Sequence, residues 1–218
     1  MRLIVFDCDG TLVDSQHLII DATRVAFETQ GLPPPADEAV RHVVGLSLGE
    51  AIGQLVPGVG HADVALLVDG YKQAFAAMRR QPLFHEPLFE GARETLQELE
   101  RRGHLLAVAT GKSDRGIASV LQHHALAGLF VSLQTADRHP SKPHPSMLAA
   151  AMRETGSTPR ETLMVGDTSY DMQMARAAGV RAIGVGWGYH PAVALELAGA
   201  EAIVDRFEQL LELAAAPA

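Results

Sequence analysis

Two aspartates one residue apart, Asp7 and Asp9, follow a short apolar run and lead into Gly10-Thr11. Side chains two apart on extended backbone point the same way, so both carboxylates can face one ligand while Cys8 faces elsewhere. Like charges at that spacing repel, and a hard divalent cation between the oxygens relieves the repulsion. Asp167, in Gly166-Asp167-Thr168, offers a further oxygen ligand. Magnesium suits such a set because it keeps several waters and binds phosphate oxygen together with one or two carboxylates. A phosphoryl group held there also needs donors, and the Thr110 hydroxyl, the Gly111 amide and the Lys142 ammonium are of the right kind. The chain has three lysines, Lys72, Lys112 and Lys142, against fifteen arginines. Two of those lysines fall in the loops that carry the donors, where a compact point charge is useful.

These residues are far apart in sequence, so a scaffold must bring them together. Apolar runs at 3–6, 105–109, 162–165 and 182–185 read as buried strands, with a weaker one near 130–133. Helical patterns at 92–102, 146–155 and 171–178 each stop at a glycine, Gly103, Gly156 and Gly179. The alternation predicts an α/β fold, a doubly wound parallel sheet with a Rossmann-like core and helices on both faces. In such a sheet ligands bind outside the carboxyl ends of the strands. Each loop named above follows a strand, so the loops should converge there.

Residues 15–82 interrupt the alternation with helical patterns and no convincing strand, which predicts an inserted α-helical cap; 1–14 and 83–218 then form the core. Ser15 is placed to cap a helix running to Gln30, which Gly31 and Pro33-Pro34-Pro35 would end, and 61–80 reads as one long helix. The second hinge is expected at 82–87. In the insertion, His17 and the Gly45-Leu46-Ser47 loop, preceded by Arg41, are positioned to reach a site, although a purely structural role accounts for them equally well.

The balance of 47% hydrophobic and 20% charged residues is that of a folded globular chain. A net charge of -8 argues against a nucleic-acid partner held along a basic face. With Cys8 the only cysteine, no disulfide closes within the chain and no paired-cysteine zinc site exists. No apolar stretch approaches the roughly 18 residues of a membrane span, and the N-terminus lacks the pattern of a secretory signal. A cytoplasmic location without a membrane partner is the expectation. Oligomeric state is not legible.

Asp7-Cys8-Asp9-Gly10-Thr11, Thr110, Lys142 and Gly166-Asp167-Thr168-Ser169-Tyr170-Asp171 match, in order and spacing, the four motifs of the haloacid dehalogenase-like hydrolase superfamily. The insertion after the first motif resembles its small helical cap. Gly188-Tyr189-His190 and Ala198-Gly199-Ala200 make the chain most similar to the phosphoglycolate phosphatase-like group. The resemblance implies a phosphatase acting on a small phosphorylated metabolite. Asp7 would attack phosphorus and become an aspartyl-phosphate. Asp9 would protonate the leaving oxygen and later deprotonate water. Magnesium would be held by the Asp7 carboxylate, the Asp9 backbone carbonyl and Asp167, with Asp171 ordering a metal-bound water or Lys142. Thr110, Gly111 and Lys142 would bind the phosphoryl oxygens.

Blander readings are available for each part. Asp9-Gly10 is a common turn, Asp167 and Asp171 could merely charge a helix start, and Lys142 alone would be a surface lysine; their joint placement favours the site. Gly184-Val185-Gly186-Trp187-Gly188 resembles half a dinucleotide fingerprint but lacks the helix and the acid that should follow. Cys8 is expected in the core. A phosphosugar mutase similar to beta-phosphoglucomutase would show the same core motifs, and a non-catalytic phosphometabolite-binding module is the alternative from another class. A dehalogenase would not need Asp9, and a phosphonate hydrolase of this type needs a cap lysine, whereas the insertion holds only Lys72.

Overall fold

The computed structural model describes residues 1–58, 60–81 and 84–215. Pro82 and Leu83, at the expected second boundary, lie outside the described residues. Six parallel strands form one sheet in the order β3-β2-β1-β4-β5-β6. They are β1 (Leu3–Phe6), β2 (Leu105–Thr110), β3 (Phe130–Thr135), β4 (Thr162–Gly166), β5 (Arg181–Val185) and β6 (Ala202–Val204). The sheet is the doubly wound one that the alternation predicts. Five strands coincide with the apolar runs to within two residues at either end. The sixth has no counterpart in the sequence reading, because a run of three apolar residues is too short to stand out from a loop; pairing with β5 supplies the order that composition does not.

β1 shows why an unbroken apolar run is needed at the centre. Leu3 and Val5 enter one hydrophobic cluster and Ile4 and Phe6 the other, so both faces are covered. One face is closed by α5 (Ala92–Arg101), α6 (Asp114–His123) and α10 (Leu210–Ala215), through residues such as Leu96, Ile117 and Leu210. The other is closed by α7 (Ser146–Thr155), α8 (Ser169–Ala177) and α9 (Ala192–Ala198), through Met147, Met172 and Leu195. Burying one such side chain contributes about 1.5–3 kcal/mol. Cys8 is a buried member of the first cluster, as expected.

Between β1 and α5 the chain runs through α1 (Gln16–Thr29), α2 (Asp37–Val43), α3 (Leu48–Leu55) and α4 (His61–Met78). Three of these share a third cluster built on Phe27, Ile52 and Leu67. Gly31 at φ +69 follows the end of α1, as the sequence suggests. Ser15 does not cap α1 with its side chain, contrary to expectation: no cap hydrogen bond forms, because the hydroxyl donates to Asp9 instead. Among the described residues no helix is long and apolar enough to cross a membrane.

Candidate active site

The strand order reverses between β1 and β4, and the crevice outside the carboxyl ends of that pair is where ligands bind in such sheets. Asp7 is the first residue past β1, and its N–H donates to the Val165 carbonyl at 2.9 Å, so the carboxylate is fixed by the sheet itself. Gly10 takes φ +77, and a Cβ there would collide with the Asp167 carboxylate. Only glycine turns the chain this tightly against that side chain. A Cβ at Gly188 would also overlap Asp167. Gly188 thus serves close packing behind the carboxylate.

Three carboxylates meet in this crevice. One oxygen each from Asp7, Asp167 and Asp171 lie within 4.8 Å of one another, and all three residues are buried. Thr11 donates to Asp167 Oδ1 at 2.8 Å and the Tyr189 N–H to Oδ2 at 3.0 Å. Asp171 closes a capping box with Thr168 at the start of α8 and accepts from Lys142 at 2.7 Å. Lys142 is also 2.9 Å from Asp7 Oδ1, which takes the Cys8 N–H at 2.6 Å as well. Asp7 Oδ2 is buried and has no partner.

Buried charges need opposite charges close by. Burial, and then the charges of Asp7 and Asp171, push Asp167 well above the usual carboxylate range. Burial also lifts Asp7 to about 7 in spite of Lys142. For Lys142 burial acts downward, but Asp171 and Asp7 outweigh it and keep the ammonium charged. Ionised together, the three carboxylates exceed the one cation by two negative charges, which a divalent cation offsets. The buried, all-oxygen donor set fits such an ion.

Asp9 turns to different partners. Its Oδ1 lies 2.8 Å from Lys112 Nζ and accepts from the Ser15 hydroxyl. Lys112 also reaches Glu86 at 3.1 Å, and Asp9 and Glu86 together outweigh burial in holding its charge. Ser15 N–H donates to the Tyr189 hydroxyl at 3.1 Å, tying the first strand loop to the loop after β5.

The insertion covers part of the crevice. A Cβ at Gly111 would strike the Leu46 carbonyl oxygen, and the Ser47 N–H donates to Ser141 Oγ at 2.8 Å. His42 and His190 stack with ring centroids 5.0 Å apart. Ser169 N–H donates to His190 Nδ1 at 3.1 Å, so the other nitrogen carries the proton that it donates to the His42 carbonyl at 3.1 Å. A cavity of about 560 Å³ remains, with Asp7 and Asp9 in its floor.

Asp7, Lys142, Asp167 and Asp171 therefore form one cluster, with Asp9 beside it on the cavity floor. Thr110 is buried, its hydroxyl accepting the Lys112 N–H at 3.2 Å, and Gly111 lines the cavity. Leu46 and Ser47 reach the site, whereas His17 lines a separate surface hollow with Arg41, which donates to Gln16 at 2.9 Å. Sequence reasoning missed Glu86, Ser15 and Tyr189 as neighbours of the site. Lys112 carried a signal in the scarcity of lysine, and Tyr189 in the Gly188-Tyr189-His190 resemblance.

Comparison with known proteins gives a consistent picture. The family model for haloacid dehalogenase-like hydrolases matches residues 4–185. The probable phosphatase IndB of Dickeya dadantii is 38% identical over 96% of this chain and 91% of its own length. The phosphoglycolate phosphatase of Pseudomonas putida is 33% identical over 100% of this chain and 81% of its own. Among solved structures, a hydrolase from Pseudomonas syringae superposes with a TM-score of 0.86 at 25% identity, covering 98% of this chain and 97% of that one.

Proposed function

Because the chain belongs to the haloacid dehalogenase-like hydrolase family and is a phosphatase, we propose that it hydrolyses a small-metabolite phosphomonoester through a covalent intermediate on Asp7, with magnesium as cofactor. The observation that carries this reading is Asp7 Oδ2, a buried oxygen without a partner beside two further carboxylates and a single ammonium. Phosphoglycolate, the compound named for several relatives, is the reference substrate.

Asp7 holds one oxygen on Lys142 and the Cys8 N–H and keeps the other for attack on phosphorus. The alcohol oxygen leaves as the P–O bond to it breaks, and Asp9 hands it a proton; Asp9 then takes a proton from the water that cleaves the acyl phosphate. Lys112 and Ser15 orient Asp9 for both transfers. Lys142, Thr110 and the Gly111 N–H are the donors for the phosphoryl oxygens. The Asp7 and Asp167 carboxylates and the Asp9 backbone carbonyl would hold the magnesium ion, while Asp171 keeps Lys142 in place. When bound, that ion supplies the positive charge that the three carboxylates lack and that a phosphoryl group needs.

The insertion over the crevice keeps bulk water from the acyl phosphate. The test is phosphate release from phosphoglycolate and a broad phosphoester panel in magnesium, run beside Asp7→Asn. Isomerised sugar phosphate with little free phosphate would replace hydrolysis by the mutase reaction. No turnover of any ester would leave only a binding role.

A further inference from the structure

The cavity over Asp7 and Asp9 is larger than a phosphoryl group on a two-carbon acid requires. At about 560 Å³ it falls among pockets that enclose drug-sized ligands, ~300–1,000 Å³. Much of its wall is apolar, formed by residues such as Val40, Val43, Leu46, Ile52, Val68 and Phe75, while Lys72, Arg80 and Arg115 line it as well. Water gains little against such a wall, and an apolar occupant gains its whole buried area.

A second observation lies on α4. Tyr71, Phe75 and Arg79, four residues apart, share one face of the helix. The Phe75 ring has the Lys112 ammonium 5.6 Å from its centroid and the Arg79 guanidinium at 5.3 Å. Lys112 is committed to Asp9 and Glu86. Arg79 also lies over Phe84 at 5.8 Å, yet its buried Nε–H has no hydrogen-bond partner. Among the described residues no carboxylate pairs with it. A guanidinium lining the cavity, resting on ring faces and without a carboxylate partner among the described residues, is suited to an anion.

We propose that the leaving group of the substrate is an elongated apolar chain or ring ending in an anionic group. The phosphoryl end sits at Asp7, the apolar body lies along the cavity wall, and the terminal carboxylate or phosphate meets Arg79 beyond the Phe75 ring. This rests on the phosphatase reading. Phosphoglycolate has the two anionic ends without the body between them, which makes it a short member of the same chemical class.

Two series separate the possibilities: n-alkyl phosphates from two to about eight carbons, and the same chains ending in a carboxylate. Leaving-group acidity hardly changes along either series beyond the first members, so kcat/KM for phosphate release reports the fit of the chain. The expected result is a rise of about threefold per methylene, an optimum well beyond two carbons, and about a tenfold advantage for the carboxylates at that optimum. Arg79→Gln abolishes the carboxylate advantage and keeps the dependence on chain length. A flat series in which phosphoglycolate is the best substrate overturns the inference and leaves the phosphatase reading standing. A carboxylate advantage that survives in Arg79→Gln also overturns it. Phosphate release from none of the compounds, phosphoglycolate included, overturns the phosphatase reading and the inference together.

Discussion

Lys112 lies 2.8 Å from Asp9, so the carboxylate proposed as the acid and base is held by the lysine of another strand's loop and not by the acidic cluster beside it. The same ammonium reaches Glu86, next to Pro87, whose carbonyl accepts the Asp14 N–H at 2.9 Å. Two carboxylates from two crossings are thereby tied to β2.

Lys112→Met removes the shared cation and leaves Asp9 and Glu86 buried without it. Breaking a buried pair costs about 3–5 kcal/mol, and each kcal/mol lowers Tm by ~2–4 °C in a chain of this size. A fall of about 10 °C in a thermal scan, with a loss of turnover, is expected. An unchanged Tm would show that the ion pair contributes nothing.

Asp7→Asn keeps the fold, since the amide is isosteric and Lys142 retains Asp171. Turnover should fall at least about a thousandfold, because the attacking oxygen is gone. Circular dichroism checks the fold and a phosphate-release assay the rate; substantial residual turnover argues for direct attack by water.

Stability without added metal should depend on pH in a defined direction. Burial lifts Asp7 from 3.8 to about 7, so between those values the folded chain keeps a proton that the unfolded chain has lost. The folded-state value is the raised one, so stability falls as pH increases through that window. Magnesium competes for the same oxygens and opposes the loss. Saturating magnesium should therefore raise Tm by about 5–10 °C at pH 8 and hardly at all at pH 5. A gain of the same size at both values would place the ion elsewhere.

At Gly111 a side chain would meet the Leu46 carbonyl. Gly111→Val should push the 45–47 loop off the core and lower kcat/KM about a hundredfold by misplacing the substrate, with Tm nearly unchanged. Gly128→Val is the control, since a Cβ there meets nothing within 4 Å. Equal effects at the two positions would remove the docked loop from the explanation.

Much of this protein was legible from local pattern. An apolar run followed by Asp7-Cys8-Asp9-Gly10 marks a strand and the loop at its carboxyl end, because strand period and turn chemistry involve only neighbouring residues. The same holds for β2 with Thr110 and for β4 with Asp167, and parallel pairing then brings their loops together. What the pattern left open depends on contacts between distant residues. Asp9 could be read as facing the same ion as Asp7, but its side chain goes to Lys112 and Ser15 because α1 and the loop after β2 come to rest beside it. The helical spacing of Tyr71, Phe75 and Arg79 lies in the sequence, yet only the docking of α4 over the crevice turns that face into a cavity wall. Local spacing singled out the residues that meet in the crevice. The packing of the insertion on the core, a matter of shape and burial over long separations, decided what surrounds them.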